Sequence, residues 1–252
     1  MKQWLTFLLL AGLALAPFGV GDFGGINGGP DNPTAMGLWL LGAALFFAAF
    51  VWLARATGAG DGGLRLHPGW RRNLGIGLIY GLFCMTLAIA GDVAFGKYAV
   101  TPHPWPRLLA ALLPVAVGTL FIALSEELVF RGYLMRILGD RAPAAIAVVS
   151  ALLFVALHLK HWGEPPVYWI GLFVKGLFYA IPVLATRSVW FGIGHHWGWN
   201  FVHFLLFGGV TGAAVHEAAR YPWPADWGHL AVATLMALSA PVFNRILARN
   251  DL

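Results

Sequence analysis

Long apolar stretches separated by short polar segments run through the whole chain. A helix needs about 20 apolar residues to cross about 30 Å of hydrocarbon, and about eight stretches approach or exceed that length. They are Trp4–Val20, Met36–Ala54, Asn73–Phe95, Leu108–Leu138, Pro143–Leu159, Val167–Thr186, Val189–Val210 and Trp227–Leu247. The pattern predicts an all-α fold, a polytopic membrane bundle of about eight transmembrane helices.

The composition narrows the class of protein further. Of the 252 residues, 59% are apolar and 11% are charged, whereas soluble domains are about 25% charged and disordered chains are poor in apolar residues. Cys84 is the single cysteine, which excludes a disulfide scaffold and a zinc site built from cysteines. No internal repeat is visible in the sequence, so we expect residues 1–252 to form one integral-membrane domain.

The basic residues indicate how the helices are oriented. The net charge of +5 comes from 16 Lys and Arg against 11 Asp and Glu. These basic residues lie between the apolar stretches, and most of them fall on one side when the helices alternate in direction. We therefore expect a protein of the plasma (inner) membrane with both termini in the cytoplasm, whose partner is the lipid bilayer and not nucleic acid.

The first stretch has a second interpretation. Lys2, the apolar run and the small residues Ala14-Leu15-Ala16 resemble a secretory signal peptide. Pro17 follows that site directly and argues against cleavage, so we interpret the stretch as a transmembrane helix, with a cleaved signal peptide as the alternative.

Glu126, Glu127 and Arg131 lie inside the fourth stretch, with apolar residues on both sides. Ionisable groups inside apolar segments cost several kcal/mol unless they are paired or solvated, so each is a functional candidate. Arg131 is four residues after Glu127, and the two are predicted to form an ion pair on one face of the helix. Glu126 then points elsewhere, about 140° from Arg131 around the axis. The alternative is a helix end that emerges into cytoplasmic water.

The fifth stretch ends with Phe154 and His158, one turn apart on a single face. Counted from a predicted turn at Gly139–Ala142, Glu126 and His158 lie about 20 and about 22 Å along their helices. In an antiparallel hairpin they meet at nearly equal depth, where a carboxylate and an imidazole form a plausible general-base pair. The alternative for His158 is an interfacial residue near a helix end.

The seventh stretch carries His196 and Asn200 one turn apart, and His203 nearly continues their face. Polar groups aligned on an apolar helix face a cavity or hydrogen-bond to neighbouring helices, and both alternatives stay open. Counted from a turn at Arg187 and Ser188, His196 is only about 12 Å deep, so a meeting with Glu126 requires helix tilt or distortion. Gly192 and Gly194 could provide it.

These groups suit the hydrolysis of a peptide bond, which needs an activated water and donors to the developing oxyanion. Glu126 with His158 can take a proton from water, while His196 and Asn200 can donate hydrogen bonds to the oxyanion. A serine or cysteine nucleophile is disfavoured, because no Gly-x-Ser-x-Gly elbow is present and Cys84 has no histidine partner evident in the sequence.

The three motifs together resemble the signature of the CPBP family, which comprises the type II CAAX prenyl endopeptidases and their bacterial relatives. They are Glu126-Glu127-x-x-x-Arg131, Phe154-x-x-x-His158 and His196-x-x-x-Asn200. The resemblance covers a core of residues 108–210 and implies an eight-helix intramembrane protease acting on a membrane-tethered protein or peptide.

By that resemblance Glu126 is the catalytic glutamate and His158 its partner on the water. His196 and Asn200 are the oxyanion donors, and Glu127 and Arg131 support the site together with Phe154 of the second motif.

The sequence leaves three alternatives. Glu126, His158 and His196 also form an acceptable zinc set, although we expect a metal-free mechanism without a cofactor. A transporter could use the buried carboxylates, histidines and Lys175 as a relay, with Pro182 kinking the helix of Lys175. A scaffold or immunity protein would keep the family fold without catalysis.

Overall fold

The computed structural model describes residues 33–57, 63–100, 105–138, 143–159, 162–207, 215–217 and 227–248, together with residues 5, 6, 9 and 12. The predicted first segment, Trp4–Val20, therefore lies almost entirely outside the described residues. Helices account for nearly all of the described chain, which confirms the prediction of an all-α membrane bundle.

The helices follow the predicted segments closely. They are α1 (Pro33–Thr57), α2 (Trp70–Ala94), α3 (Trp105–Glu127), α4 (Leu134–Leu138), α5 (Pro143–Ala156), α6 (Pro166–Thr186), α7 (Trp190–Phe207) and α8 (Trp227–Ala248). Within the described residues, four helical stretches are long and apolar enough to cross a membrane: Trp70–Ala94, Ala111–Arg136, Pro166–Thr186 and Trp227–Leu247. Ala44–Leu53 and Pro143–Ala156 are shorter apolar helices.

Two short strands were not predicted. β1 (Tyr98–Val100) follows α2, and β2 (Val215–Glu217) lies between α7 and α8. They pair antiparallel, with Ala99 opposite His216. The pairing satisfies backbone groups where the chain leaves the helices, and three residues per strand are too few to give a recognisable sequence pattern.

The fourth predicted segment is not one uniform α-helix. Between α3 and α4, Leu128–Tyr133 form a π-helical turn, and all six residues are buried. A π turn has i→i+5 hydrogen bonds and is common at functional sites. It lies directly after Glu127 and contains Arg131, so it shapes the helix where the charges are concentrated.

Helices α2 and α7 run parallel and approach each other through glycines. A Cβ atom on Gly81 would overlap the carbonyl oxygen of His195, and one on Gly194 would overlap that of Leu74. Small residues spaced four apart allow such close backbone contact between membrane helices. Gly77 and Gly198 continue the same contact on the two helices.

The turn between α6 and α7 is covered by another segment of the chain. Ser188 and Val189 are buried there, and the segment of residues 63–70 covers them. The backbone N–H of Val189 donates to the carbonyl of Gly63 at 3.2 Å, and the rings of Trp70 and Trp190 are 4.8 Å apart. Helix α7 therefore begins beneath this segment and not at the protein surface.

Candidate functional site

A buried ion pair forms the base of the candidate site. The Nη1 of Arg131 donates to Oε1 of Glu127 at 2.9 Å, and both side chains are fully buried. The predicted pairing across one helical turn is confirmed. Removing two charges from water is costly, so such a pair needs further polar contacts to compensate. The alternative of a helix end in cytoplasmic water does not describe this pair, because neither side chain is accessible.

His196 supplies the next contact and joins α7 to the end of α3. Its Nδ1 lies 3.0 Å from Oε1 of Glu127, the same oxygen that accepts from Arg131. Its Nε2 lies 3.9 Å from Oε2 of Glu126. One imidazole is thus placed between two neighbouring carboxylates.

These contacts fix the protonation of His196 at one nitrogen. A carboxylate that pairs with an arginine is ionised and can only accept hydrogen bonds. The Nδ1 of His196 must therefore carry the proton that it shares with Glu127. The second nitrogen, Nε2, points towards Glu126 and is the atom available for proton transfer. It can donate a hydrogen bond when the ring is doubly protonated.

The two glutamates differ in environment although they are neighbours. Glu127 is fully buried, whereas 13% of the Glu126 side chain is accessible. Glu126 was predicted to point away from Arg131 and to meet His196 if α7 is tilted or distorted, and its Oε2 lies 3.9 Å from Nε2 of His196.

Two aromatic rings enclose the buried charges. Tyr179 stacks nearly parallel on His196, with centroids 5.1 Å apart and planes at 16°, and Phe154 meets the imidazole edge to face at 5.8 Å. The guanidinium of Arg131 lies 4.8 Å from the ring centre of Phe154 and 5.1 Å from that of Tyr179. Phe154, predicted as a supporting residue, therefore contacts both Arg131 and His196.

His158 reaches this group through Phe154. The rings of the two residues lie 4.9 Å apart, and Nδ1 of His158 lies 2.8 Å from the carbonyl oxygen of Phe154. A carbonyl only accepts, so Nδ1 carries a proton and Nε2 is the basic nitrogen of the neutral ring. Helix α5 ends at Ala156, two residues earlier. The direct pairing of His158 with Glu126 stays a prediction.

Asn200 and His203 lie further along α7. Asn200 is half-buried one turn after His196, and its role as an oxyanion donor stays a prediction. His203 is exposed and packs against Phe204 and Phe207 near the end of the helix.

Trp197 has a structural role between α7 and α3. Its indole N–H donates to the carbonyl of Ala116 at 2.8 Å. The hydrogen bond fixes α7 against the helix that carries the two glutamates.

Of the two predicted routes to the contact between His196 and Glu126, tilt or distortion of α7, the helix shows no break at its glycines and is continuous from Trp190 to Phe207. Gly192 instead makes room for the ion pair. A Cβ atom there would lie 2.8 Å from Oε2 of Glu127.

Tyr179 is the site residue that the sequence analysis missed. It lies on α6, outside the three motifs, in a stretch that reads simply as apolar. The available signal was its position one turn after Lys175, which places a second polar group on that face of α6.

His195 faces away from the carboxylates, into an aromatic cluster. Rings of Tyr80, Phe178 and Tyr179 lie 5.1 to 5.4 Å from its own. Next to this cluster, the ammonium of Lys175 lies 4.4 Å over the Trp199 ring.

A second polar group links α2 to the start of α8. Asp92 is fully buried and accepts at 2.6 Å from both the backbone N–H of Gly228 and Nδ1 of His229. The contact caps the N-terminal end of α8 from a neighbouring helix, where backbone N–H groups lack helical partners. The group stabilises the bundle and is separate from the Glu126–His196 contact.

Within the part of the chain that the structure describes, no three His, Cys, Asp or Glu side chains are arranged to hold a metal ion. The alternative zinc set of Glu126, His158 and His196 is thus not gathered in this arrangement. One nitrogen of His196 is already engaged with Glu127.

Residues 108–202 match the family described as Rce1-like, type II CAAX prenyl endopeptidase Rce1-like. The matched segment is a little over a third of the chain and contains every residue predicted for the site, and the match confirms the resemblance drawn from the three motifs. It points to a CAAX-type intramembrane protease. No match was found among curated proteins, and none was found among solved structures.

Proposed function

We propose that this chain is a glutamate-dependent intramembrane endopeptidase that hydrolyses a peptide bond of a membrane-tethered protein. The observation that carries the proposal is the placement of the His196 imidazole between the carboxylates of Glu126 and Glu127, in a buried site inside an apolar bundle. Such a group offers a base and a positioned donor where water is scarce and electrostatic effects are strong.

In the proposed reaction Glu126 takes a proton from a water molecule, and the water oxygen attacks the carbonyl carbon of the substrate. His158 holds the water through Nε2, since its Nδ1 proton is donated to the carbonyl of Phe154. The C–N bond then breaks, the proton passes from Glu126 to the leaving amine, and a carboxylate and an amine are released. Glu126 suits the role of base because its side chain, unlike that of Glu127, is partly accessible.

His196 and Asn200 are proposed to stabilise the oxyanion. The Nδ1 proton of His196 is engaged with Glu127, so donation from Nε2 requires the doubly protonated ring. The Asn200 amide, one turn along α7, is the second donor, and two preorganised donors to one oxygen are a recurring way to stabilise a tetrahedral intermediate.

The proposed location is the plasma membrane, with both termini in the cytoplasm and cleavage near the cytoplasmic side. Exposed arginines concentrate at the end of the bundle where α2 and α7 begin, as the positive-inside rule predicts for the cytoplasmic side. They are Arg65, Arg71, Arg72, Arg136, Arg187 and Arg245.

The experiment that tests this function compares protein termini in membranes of cells that carry the wild type or Glu126→Gln at equal abundance. New termini found only with the wild type are the expected result, and they identify the substrate. Glu164→Gln is the matched control, because Glu164 is exposed and lies in the segment between α5 and α6. Termini that persist in Glu126→Gln would contradict the proposal.

The zinc-dependent version of the same protease and the transport or scaffold roles are the alternatives. The ammonium of Lys175, the residue of the alternative relay, lies 4.4 Å over the Trp199 ring. Flux of a substrate in proteoliposomes together with unchanged termini would favour transport.

A further inference from the structure

Tyr179 contacts three members of the candidate site although it lies outside the three sequence motifs. Its ring stacks on His196 at 5.1 Å, lies 5.1 Å from the Arg131 guanidinium and meets Phe154 edge to face at 5.7 Å. The side chain is 1% exposed, so no solvent competes for these contacts.

The contacts oppose rotation of the His196 ring about its hydrogen bond to Glu127, a motion that this bond alone does not prevent. The bond from Nδ1 to Glu127 fixes the distance of the ring from α3, but an imidazole held by one nitrogen can still rotate about that bond. A parallel ring at 16° opposes this rotation. Phe154, at 76° to the imidazole, blocks it from a second direction.

The same two rings hold the counter-charge. Arg131 lies between the faces of Phe154 and Tyr179, and its Nη1 donates to the oxygen of Glu127 that contacts His196. The negative faces of aromatic rings attract a guanidinium, and the attraction grows when the group is desolvated. Movement of Tyr179 would therefore shift Arg131, Glu127 and His196 together.

We infer that Tyr179 is a positioning residue, which keeps Nε2 of His196 directed towards Glu126 by stacking on the imidazole and on the Arg131 guanidinium. The expected effect of Tyr179 on cleavage rests on the proposed function. The positioning of the His196 ring by Tyr179 does not depend on any substrate. The aromatic face is the required property, and the hydroxyl is not.

The first test measures cleavage of an internally quenched peptide that contains farnesyl-cysteine followed by three residues, with purified protein in nanodiscs. Tyr179→Phe keeps the ring and is expected to retain kcat within about twofold, since aromatic stacking requires only the ring face. Tyr179→Leu removes it and is expected to lower kcat on the order of tenfold or more with little change in KM, because a small misplacement of reacting groups is costly.

The second test needs no substrate. In protein labelled with ¹⁵N-histidine, the Nδ1 proton that His196 shares with Glu127 is expected to give a slowly exchanging imidazole signal, assigned by its loss in His196→Gln. Tyr179→Phe should retain this signal, and Tyr179→Leu should broaden or remove it.

Phe178→Leu is the matched control for lost volume. Phe178 is the neighbour of Tyr179 on α6, is equally buried, and contacts His195 at 5.1 Å. This variant should lower the thermal midpoint about as much as Tyr179→Leu and keep the His196 signal.

An unchanged His196 signal in Tyr179→Leu would overturn the inference, as would its equal loss in both leucine variants. Loss of the signal in Tyr179→Leu alone, with no cleavage by the wild type, would support the positioning role and count against the proposed function.

Discussion

Glu127 and His196 are 69 positions apart in the sequence, and Oε1 of the carboxylate lies 3.0 Å from Nδ1 of the imidazole. This contact joins the first and third sequence motifs in space. It also assigns the two neighbouring glutamates to different tasks, because Glu127 orients the histidine and Glu126 faces its other nitrogen. A carboxylate that fixes the orientation and tautomer of a histidine is a recurring device in enzyme sites.

Replacing Glu127 alone should destabilise the protein strongly. Glu127→Gln leaves the buried guanidinium of Arg131 without a counter-charge, and breaking a buried pair in this way costs about 3 to 5 kcal/mol. The thermal midpoint in detergent micelles is the measurement. The double variant Glu127→Gln with Arg131→Met should recover much of the loss, because no unpaired charge remains. A single variant as stable as the wild type would contradict the ion-pair account.

Adding one methyl group to Gly192 should disturb the same carboxylate. The new Cβ would lie 2.8 Å from Oε2 of Glu127, so the ion pair or the helix must shift. We expect a loss of about 1 to 3 kcal/mol, the usual range for an overpacked position. Gly171→Ala on α6 is the control, since a Cβ there meets nothing within 4 Å. Equal thermal midpoints for the two alanine variants would show that Gly192 is not required for space.

The Asp92 group should matter for stability and not for cleavage. Asp92→Ala leaves the N–H of Gly228 and the ring of His229 without their acceptor, which costs about 1 to 3 kcal/mol for buried groups. The termini generated in cells should stay those of the wild type when abundance is matched. Asp92→Asn keeps one acceptor oxygen, so its thermal midpoint should lie between those of the wild type and Asp92→Ala. Loss of specific termini in Asp92→Ala at equal abundance would place this group in the reaction.

Removal of metal ions should leave cleavage unchanged if the mechanism uses glutamate alone. Activity of the purified protein is measured before and after dialysis against a zinc chelator, with the bound metal quantified in parallel. Stoichiometric zinc, together with activity lost on chelation and restored by zinc, would instead support the zinc alternative.

The sequence predicted the elements well because long apolar stretches have few stable structures in a bilayer other than helices. It also predicted the pair of Glu127 and Arg131, since both residues lie on one helix and their spacing determines their distance. Contacts within one helix depend on local geometry, which the sequence encodes directly.

Contacts between helices were harder to predict. Nothing in the sequence indicates that residues 63–70 cover the turn before α7. The π turn at Leu128–Tyr133 and the position of Tyr179 depend in the same way on packing against neighbouring helices. Periodicity along one helix carries no information about such packing.

The most direct test of the proposed mechanism uses purified protein in nanodiscs and a peptide that spans the cleavage site identified from the cellular termini. The account predicts that Glu126→Gln has the thermal midpoint of the wild type and cleaves more slowly by a factor of about 100 or more, the usual contribution of a general base. Cleavage by Glu126→Gln at the wild-type rate would contradict it.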